Sequence, residues 1–543
     1  MRDRGIAWYG VCLLAFALAL RLVPLAWSPL PFNPDGIGYA ALAGDVLALD
    51  RLPLERMATD QVGYTSLLTV VAAVAGESPL RIAQPTSAFL GATSVLVGVV
   101  LARRLALGLG WSRRDARLAA LTAGSVLALE VVYLYRSTPT DEQTAALVLV
   151  PVVVLASERW IAAGDRGWAA VGALVVGSVP PLHNLSGLVA VLAVAVVAGV
   201  AVVRDPRGPV VARAGATGAL VATYVFGYHL ALARYTGAVI VQADRLVAVP
   251  GLFVAWTVLA VAGAGWFVTT SDRVRRGTVL AVVLGGFGLV ALNAVRTVFP
   301  ATVATSRPIL FALAPLVVPA VLAGLAAHVV ARDRTVGATT VALVAGPLAV
   351  VGTALTAALT FEYLAMLFRA QLFAHVPLVA LAGVGVAGVA RGRSERVGAV
   401  LAVAVVVAAA VGAPLAFAGL EILPYKSVTT QAEFAATGTA ASGLDAWTTD
   451  DHLGRVAGYF DAGGGGRGPT YRWLRGGDPP PSCPVLAQRS WTATGAQFYP
   501  QPPATLSGDA YRDWRARNDV VAVTVARDPL SVVVPRNGTA ASC

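Results

Sequence analysis

Charged residues are scarce in this chain of 543 residues: Asp, Glu, Lys and Arg together make up 13%, whereas 57% of the residues are hydrophobic. An average soluble domain carries about 25% charged residues, so this scarcity excludes an ordinary soluble protein. Apolar runs of roughly 17–25 residues recur along most of the chain, which is the length needed to cross a hydrocarbon layer about 30 Å thick. The runs also lack the alternation of barrel strands. We therefore predict a polytopic α-helical membrane protein.

Lysine is nearly absent, because Lys426 is the only one and the formal charge of +11 comes almost entirely from arginine. The arginines form short clusters between apolar runs. This is the pattern of the positive-inside rule, and a nucleic-acid-binding surface would not require it. We therefore expect no nucleic acid partner.

Cysteine is also rare, with three residues in the whole chain and no Cys-x-x-Cys or Cys/His cluster that would indicate zinc. Cys12 lies in the first apolar run. Cys483 and Cys543 lie in the polar C-terminal part, where they could pair if that part is extracytoplasmic. The sequence leaves this pairing open.

Apolar runs and arginine clusters alternate regularly and predict about 13 spans. Met1–Arg4 precedes the first run, so the N-terminus is predicted to be cytoplasmic. A cleaved signal peptide is the alternative for this run, but its removal would reverse the charge bias of the following spans. An odd number of spans places the C-terminus outside. The predicted spans lie near residues 6–27, 83–102, 117–135, 143–157, 168–182, 186–203, 214–232, 249–269, 277–294, 309–330, 336–358, 373–390 and 397–419.

Composition divides the chain into two predicted domains. Residues 1–423 form the transmembrane domain, and its first outer loop, 28–80, contains a short apolar segment from Tyr64 to Gly76 that we expect at the membrane interface. Residues 424–543 are richer in Asp, Trp, Tyr, Thr and Pro and are predicted to form a small extracytoplasmic α/β domain. A helix is expected over 451–460, and a β-hairpin is expected from residues 518–525 and 530–534.

Ionisable residues concentrate in the predicted outer loops, although such groups are costly at membrane depth unless they face a cavity or a partner. Asp35 lies on a loop that Pro34 and Gly36 shape, too far beyond the first span to be an obvious cap. Asp141 and Glu142 begin a span, where the helix dipole favours anions. Asp141 could simply cap this helix, and Thr140 could do so instead.

Further candidates occur in the later outer loops. His183 and Asn184 follow Pro180-Pro181-Leu182, and His183 is also compatible with an ordinary interfacial histidine. Arginines in outer loops fit phosphate oxygens well, although they could also meet lipid headgroups. The five arginines of this kind are Arg234, Arg245, Arg296, Arg307 and Arg369.

The order of these features resembles the GT-C superfamily of integral-membrane glycosyltransferases, most closely the branch of protein O-mannosyltransferases and aminoarabinose transferases. In that family an acidic residue lies in the first outer loop, where this chain has Asp35, and a second follows the third span, where it has Asp141. Leu80-Arg81-Ile82 and Ala102-Arg103-Arg104-Leu105 match the basic steps beside the second span. The likeness is best over residues 6–160 and elsewhere rests on hydropathy and the external domain.

The chain also departs from the family pattern. Asp35-Gly36 stands where the family often has an Asp-Glu pair, and Asp60-Gln61-Val62-Gly63-Tyr64 replaces the usual Lys-Pro-Pro stretch. The Trp-Trp-Asp-Tyr-Gly signature of oligosaccharyltransferases is absent. The resemblance therefore implies neither a particular sugar nor a particular acceptor.

The resemblance implies an inverting glycosyltransferase that uses a polyprenyl- or dolichyl-phosphate sugar and an extracytoplasmic glycan, lipid or protein acceptor. Asp35 would be the catalytic base. Asp141 would orient the acceptor or join Asp35 in holding Mg²⁺ or Mn²⁺ through oxygen ligands. Glu142, His183 and Asn184 would lie at the acceptor or behind it, and the five outer arginines are the candidates for the donor phosphate.

Two other classes of protein remain as alternatives. A secondary transporter would place polar residues near the bilayer midplane on interrupted helices, whereas the charges here cluster at one predicted face. A non-catalytic membrane scaffold could present residues 424–543 for binding.

Overall fold

The structure is a computed structural model. It describes residues 4–238, 240, 243–298, 304–333, 336–417, 426–460, 465–499, 501–524, 528–536 and 543. Arg334 of one predicted cytoplasmic cluster and the predicted domain boundary at 423 lie outside these residues.

Apolar helices make up most of the chain up to residue 417. The first ten are α1 (Arg4–Leu22), α2 (Pro34–Leu49), α3 (Val62–Ala75), α4 (Pro79–Gly108), α5 (Arg113–Leu129), α6 (Val131–Ser137), α7 (Glu142–Ala163), α8 (Arg166–Leu182), α9 (Asn184–Arg204) and α10 (Gly208–Thr236). The next ten are α11 (Ala243–Ala248), α12 (Pro250–Thr269), α13 (Asp272–Val295), α14 (Arg307–Leu313), α15 (Val317–Ala326), α16 (Val329–Arg332), α17 (Gly337–Ala357), α18 (Phe361–Ala370), α19 (Leu372–Gly392) and α20 (Glu395–Gly412).

Within the described residues, eleven helices are long and apolar enough to cross a membrane, or twelve if the bent pair α5–α6 counts as one span. The chain is thus a multi-pass helical membrane protein, and the predicted number of about 13 includes one further helix that is too short for this measure. The difference is α8, whose 17 residues cover about 25 Å at 1.5 Å per residue. His183, just after α8, lies 3.8 Å from Glu142 at the start of α7. α8 therefore returns through the layer that α7 crosses.

The bend between α5 and α6, 66°, is stabilised by a buried carboxylate. Glu130 accepts hydrogen bonds from the backbone N–H groups of Val132 and Tyr133, at 3.0 and 2.8 Å. The carboxylate also contacts the His375 imidazole, 2.9 Å away. A break in a membrane helix frees backbone groups that have no water to bind, and Glu130 satisfies two of them.

The helix ends that carry arginine clusters meet at one face of the bundle. Arg391 pairs with Asp115 at 3.1 Å, and Arg332 pairs with Asp272 at 2.5 Å. Arg204 donates to the carbonyl of Val330. These contacts place the arginine-rich loops together at the end of the bundle opposite the polar cluster described below.

The first outer loop contains a helix that the sequence analysis did not predict. α2 begins at Pro34, and Asn33 accepts a hydrogen bond from the Asp35 N–H at 3.3 Å. The prediction that Asp35 lies on a loop was therefore wrong. Proline has a pre-set φ and needs no hydrogen-bond donor in the first turn of a helix, so Asn-Pro-Asp-Gly begins a helix here. The expected segment near 64–76 is α3, whose 14 residues are too few to span.

The part of the chain after residue 425, here called the C-terminal region, combines helices with two small antiparallel sheets. The strands are ordered β1-β5-β4 in one sheet and β2-β3 in the other, and the predicted hairpin is confirmed as β4 and β5. The elements of the C-terminal region are α21 (Gln431–Gly443), α22 (Asp451–Ala457), α23 (Gly468–Gly476), β1 (Val485–Gln488), β2 (Ala496–Phe498), β3 (Gln501–Ala504), α24 (Gly508–Ala516), β4 (Asp519–Val523) and β5 (Leu530–Val534).

The C-terminal region has its own core, in which Trp447 and Trp491 are fully buried. Cys483 and Cys543 form a disulfide bond, which answers the pairing that the sequence left open. Asp450 caps α22 and accepts hydrogen bonds from Leu453 N–H, Trp491 Nε1 and Gln497 N–H, each at 3.1 Å. This buried carboxylate joins three separate segments.

Asp450 and His452 make opposite contributions to the pH dependence of stability. Burial raises the pKa of Asp450 from 3.8 to about 6, so the folded state binds more protons and this contribution falls as the pH rises through that window. Burial lowers the pKa of His452 from 6.5 to about 4, so its contribution rises with pH over 4–6.5. Each pKa shift corresponds to a free-energy contribution of about 3 kcal/mol over its pH window.

In the Asp450→Asn variant, we expect the stability of the C-terminal region to rise with pH from 4.5 to 6.5, because only the contribution of His452 to the pH dependence remains. His452→Gln should have the reverse effect. Tryptophan fluorescence during thermal unfolding of the full chain in detergent measures both, with the wild type as the flatter reference. Identical pH profiles for the three proteins would contradict this assignment.

Candidate active site

The starts of α2 and α7 are packed against each other. Gly36 follows Asp35, and a Cβ atom at Gly36 would lie 2.5 Å from the Thr140 Cβ. Thr140 directly precedes Asp141. The two predicted acidic positions therefore flank one tight contact, although 105 residues of sequence separate them.

Gln84 of α4 stabilises this contact through hydrogen bonds to the segments on either side of it. Its Oε1 accepts hydrogen bonds from the Phe32 N–H at 2.8 Å and the Thr140 hydroxyl at 2.9 Å. Its Nε2 donates to the carbonyls of Arg21 and Thr138, at 3.1 and 3.0 Å. One fully buried amide therefore joins the end of α1, the segment before α2 and the segment before α7.

Arg21 forms a second buried link in the same place. Its guanidinium donates to the Ser137 hydroxyl at 2.6 and 3.1 Å and to the Ala17 carbonyl at 3.1 Å. Gly91 permits this arrangement, because a Cβ there would lie only 1.9 Å from the Ser137 carbonyl oxygen. The α6–α7 connection is therefore fixed against both α1 and α4.

Asp141 is the N-cap of α7 and accepts a hydrogen bond from the Gln143 N–H at 2.8 Å. The capping interpretation therefore holds for Asp141, whereas the Thr140 hydroxyl is used by Gln84. Burial favours the neutral acid, but the Arg369 and Arg136 guanidinium groups outweigh it and hold the pKa of Asp141 below its usual range. Capping and a role at a site are compatible, since the cap occupies one carboxylate oxygen.

Glu142 points into a buried polar cluster beside Asp141. Tyr39 of α2 donates its hydroxyl to Glu142, and His183 Nε2 lies 3.8 Å from the carboxylate. His183 is fully buried, and its Nε2 has no hydrogen-bond partner among the described residues. Burial lowers the pKa of His183 to about 3, so the imidazole is neutral. Glu142 and His183, which were both predicted on the acceptor side, thus lie close together.

Asp60, between the first-loop helices, is a further carboxylate of this cluster. Burial raises its pKa, against the opposing effects of the Asn184 amide and the Arg369 guanidinium. The Asn184 side chain itself accepts from the Leu185 N–H at 2.5 Å. The backbone of Asn184, and not its side chain, makes the contact with Asp60.

The structure separates the five predicted phosphate ligands. Arg369 interacts electrostatically with Asp141, Glu142 and Asp35, and its carbonyl accepts from Gln143 at 2.9 Å. Arg245 is close to α18, since it donates to the Glu362 carbonyl at 3.4 Å. The other three are exposed near helix ends: Arg234, Arg296 and Arg307.

The C-terminal region contributes a residue that the sequence analysis missed. Arg455 of α22 donates to Asp35 Oδ1, and its guanidinium lies 5.5 Å from the Tyr499 ring centroid. The two parts also meet where the Ser28 hydroxyl donates to the Thr429 carbonyl at 2.6 Å. The predicted helix over 451–460 placed Arg455 on a helix, but no sequence pattern signals a partner 420 residues away.

The donor set does not fit a divalent cation well. In the part of the chain that the structure describes, no group of three or more His, Cys, Asp or Glu side chains could hold a metal ion. Asp35 already binds Arg455 through Oδ1 and Asn33 through Oδ2, the latter at 3.3 Å. The prediction that Asp35 and Asp141 hold Mg²⁺ or Mn²⁺ stays a prediction without structural support, and no step below uses it.

No family model and no curated protein matches this chain. Solved structures of the Archaeoglobus fulgidus oligosaccharyltransferase AglB do match its fold. The apo form has a TM-score of 0.54 at 11% identity and covers 89% of this chain and 70% of its own. The complex with an inhibitory peptide and a dolichol-phosphate has a TM-score of 0.51 at 12% identity. The complex with Zn and sulfate has a TM-score of 0.52 at 13% identity.

At these identities the likeness shows the fold. The predicted fold class, a polytopic helical membrane protein with a small C-terminal α/β region, is thereby confirmed, and the fold is shared with that oligosaccharyltransferase. The matches to the dolichol-phosphate and Zn complexes each include 85% of this chain. They include only 65% and 62%, respectively, of those oligosaccharyltransferase chains.

Gly36→Ala should destabilise the protein by about 1–3 kcal/mol, because the added methyl group overpacks the contact with Thr140. The matched control is Gly38→Ala in the same helix, where a Cβ would meet nothing within 4 Å. The control should be neutral or slightly stabilising, since alanine favours a helix by about 0.5–1 kcal/mol. Thermal unfolding of both variants in detergent tests this, and equal stabilities would show that the two helix starts are not in contact.

Proposed function

We propose that this chain is a membrane glycosyltransferase that moves a sugar from a polyprenyl- or dolichyl-phosphate donor to a hydroxyl of an extracytoplasmic glycan, lipid or protein. The observation that carries the proposal is the convergence of two acidic helix starts and Arg369 at one end of the bundle. The fold adds support, because an oligosaccharyltransferase of this fold has been solved with a dolichol-phosphate.

Asp35 acts as the general base in this proposal. As the acceptor oxygen attacks the anomeric carbon, its proton passes to the Asp35 carboxylate. The bond between the anomeric carbon and the phosphate oxygen breaks, and its electron pair leaves with the lipid phosphate. Attack from the face opposite the phosphate inverts the anomeric centre. A positioned base contributes about 10²–10⁴-fold to such a rate.

Arg369 is the proposed ligand of the departing phosphate. A guanidinium presents a planar fork that fits phosphate oxygens, and this one lies within electrostatic reach of Asp35 and Asp141. The cluster therefore contains both the proton acceptor and the cation that the reaction needs.

Asp141, Glu142, His183 and Asn184 are proposed to shape the acceptor side. Asp141 keeps one carboxylate oxygen beyond its N-cap bond for an acceptor hydroxyl. The unpartnered Nε2 of His183 beside Glu142 provides a neutral group for a second hydroxyl. Sugar and polyol hydroxyl groups require such paired donors and acceptors.

The arginine-rich face, formed by contacts such as Arg391 with Asp115, would be cytoplasmic by the positive-inside rule. The acidic cluster and the C-terminal region lie at the opposite end, so both would be extracytoplasmic in this proposal. The start of α1, at the far end of that helix from the cluster, would then be cytoplasmic.

Asp35→Asn should reduce sugar transfer by about 100-fold or more, because the amide cannot accept the proton. The control is Asp45→Asn on the same helix, whose exposed ion pair with Arg56 serves no step. The measurement is the host's lipid-linked sugar pool and surface glycans in a deletion strain that carries each variant, with membrane expression checked. Wild-type glycans with Asp35→Asn would remove Asp35 from the mechanism. A deletion strain that instead lost solute uptake would favour a transporter.

We expect EDTA to leave the transfer rate of the purified protein within about twofold, since Asp35 is bound by Arg455 and Asn33 and, among the described residues, no group of three or more His, Cys, Asp or Glu side chains could hold a cation. The assay is sugar transfer before and after chelation, with Mg²⁺ and Mn²⁺ added back separately. Loss of activity that either cation restores would establish a metal site.

A further inference from the structure

The ion pair between Arg455 and Asp35 places a cation of the C-terminal region on the proposed base. We propose that Arg455 exchanges between Asp35 and the phosphate of the lipid donor, so that the base is freed as the phosphate gains charge. Arg455 is then a positioning residue that couples phosphate recognition to proton transfer. This inference rests on the proposed function.

Each carboxylate oxygen of Asp35 has a hydrogen-bond partner while the ion pair exists. Its Oδ1 accepts from Arg455, and its Oδ2 accepts from the Asn33 side chain at 3.3 Å. An acceptor hydroxyl would have to share Oδ1 with a charged guanidinium. The geometry therefore describes a state in which the base is covered, and removal of Arg455 would open it.

The Arg455 side chain is anchored through Nε, whereas the end that contacts Asp35 is accessible to solvent. Its Nε lies 3.5 Å from Asp451, and Asp451 is also held by Arg467 at 2.8 Å. The guanidinium packs over Tyr499. The side chain is still 31% exposed, and that of Asp35 is 35% exposed. An incoming anion can therefore reach the end of Arg455 that binds Asp35 without displacing its anchor.

Charge supplies the direction of the exchange. The phosphodiester of the bound donor carries one negative charge, whereas the departing lipid monophosphate carries about 1.5 to 2 near pH 7. A guanidinium binds phosphate oxygens through two parallel hydrogen bonds. Its preference for phosphate over the single charge of Asp35 therefore grows as the glycosidic bond breaks, which is when the base must accept the proton. An interaction that strengthens toward the transition state accelerates the reaction.

Arg455 and Arg369 would then hold the phosphate from two sides, one from the C-terminal region and one from α18. Tyr499, which packs against Arg455, also interacts electrostatically with Arg369. The two cations thus belong to one neighbourhood. A simpler role for the Arg455–Asp35 pair would be to dock the C-terminal region on the membrane domain, and the following measurement separates the two.

The experiment measures binding of undecaprenyl phosphate and of dolichyl phosphate to the purified full-length chain in nanodiscs, with inorganic phosphate as a separate arm. Arg455→Gln should weaken binding of a polyprenyl phosphate by about 10-fold, as expected for loss of a charge-assisted pair. Asp35→Asn should tighten it severalfold, because Arg455 no longer has a competing carboxylate. Arg472→Gln is the control, because Arg472 lies on α23 and forms an exposed ion pair with Asp478 instead of with Asp35.

Opposite shifts in the two variants support the exchange. Shifts in the same direction, or no shifts, overturn the exchange, because either substitution removes a contact that serves only for docking. Inorganic phosphate that binds as tightly as the lipid would overturn the lipid donor as the ligand. Failure of the wild type to bind any polyprenyl phosphate would overturn the proposed function itself, whereas normal binding and transfer with same-direction shifts would overturn only the exchange. Arg455→Lys, which keeps the charge, should restore part of the affinity if the variant chain is folded.

Discussion

The arrangement of the site depends on one buried amide. Gln84 uses both donors and both acceptor positions of its side chain, and its four partners come from three segments that are far apart in the sequence. A polar group left unpaired in such surroundings costs about 1–3 kcal/mol. Displacement of any one of the three segments would therefore leave Gln84 partly unsatisfied. For this reason the starts of α2 and α7 have a defined separation, and Gly36 can approach Thr140 as closely as it does.

The same principle recurs wherever the bundle departs from regular helices. Glu130 satisfies the backbone at the α5–α6 bend, and Arg21 joins α1 to Ser137. Each is a buried polar side chain whose hydrogen bonds replace those that water cannot provide inside a membrane. Together they form a rigid base for the acidic cluster. The C-terminal region completes the cluster from the other side through Arg455.

The features that were predictable from the sequence are those with a local signal. Hydropathy identified the membrane helices, and alternation identified the hairpin of β4 and β5. α2 was missed because Asn-Pro-Asp-Gly has the same chemistry in a turn and at a helix start. The pairing of Asp35 with Arg455 was missed for a different reason: a contact across 420 residues leaves no trace in either segment alone. Neither residue type nor spacing distinguished Arg369 from the exposed Arg234, Arg296 and Arg307.

The distance in sequence between Asp35 and Arg455 also has a consequence for biosynthesis. Asp35 enters the membrane early, whereas its partner leaves the ribosome only after the helices up to α20 have been made. The C-terminal region must then fold, with Trp447 and Trp491 in its core, before Arg455 can reach Asp35. A nascent chain that ends before residue 455 therefore contains Asp35 without its cationic partner. The complete cluster therefore exists only after the C-terminal region has folded against the first loop, so the last part of the chain to be made completes a site that begins in the first.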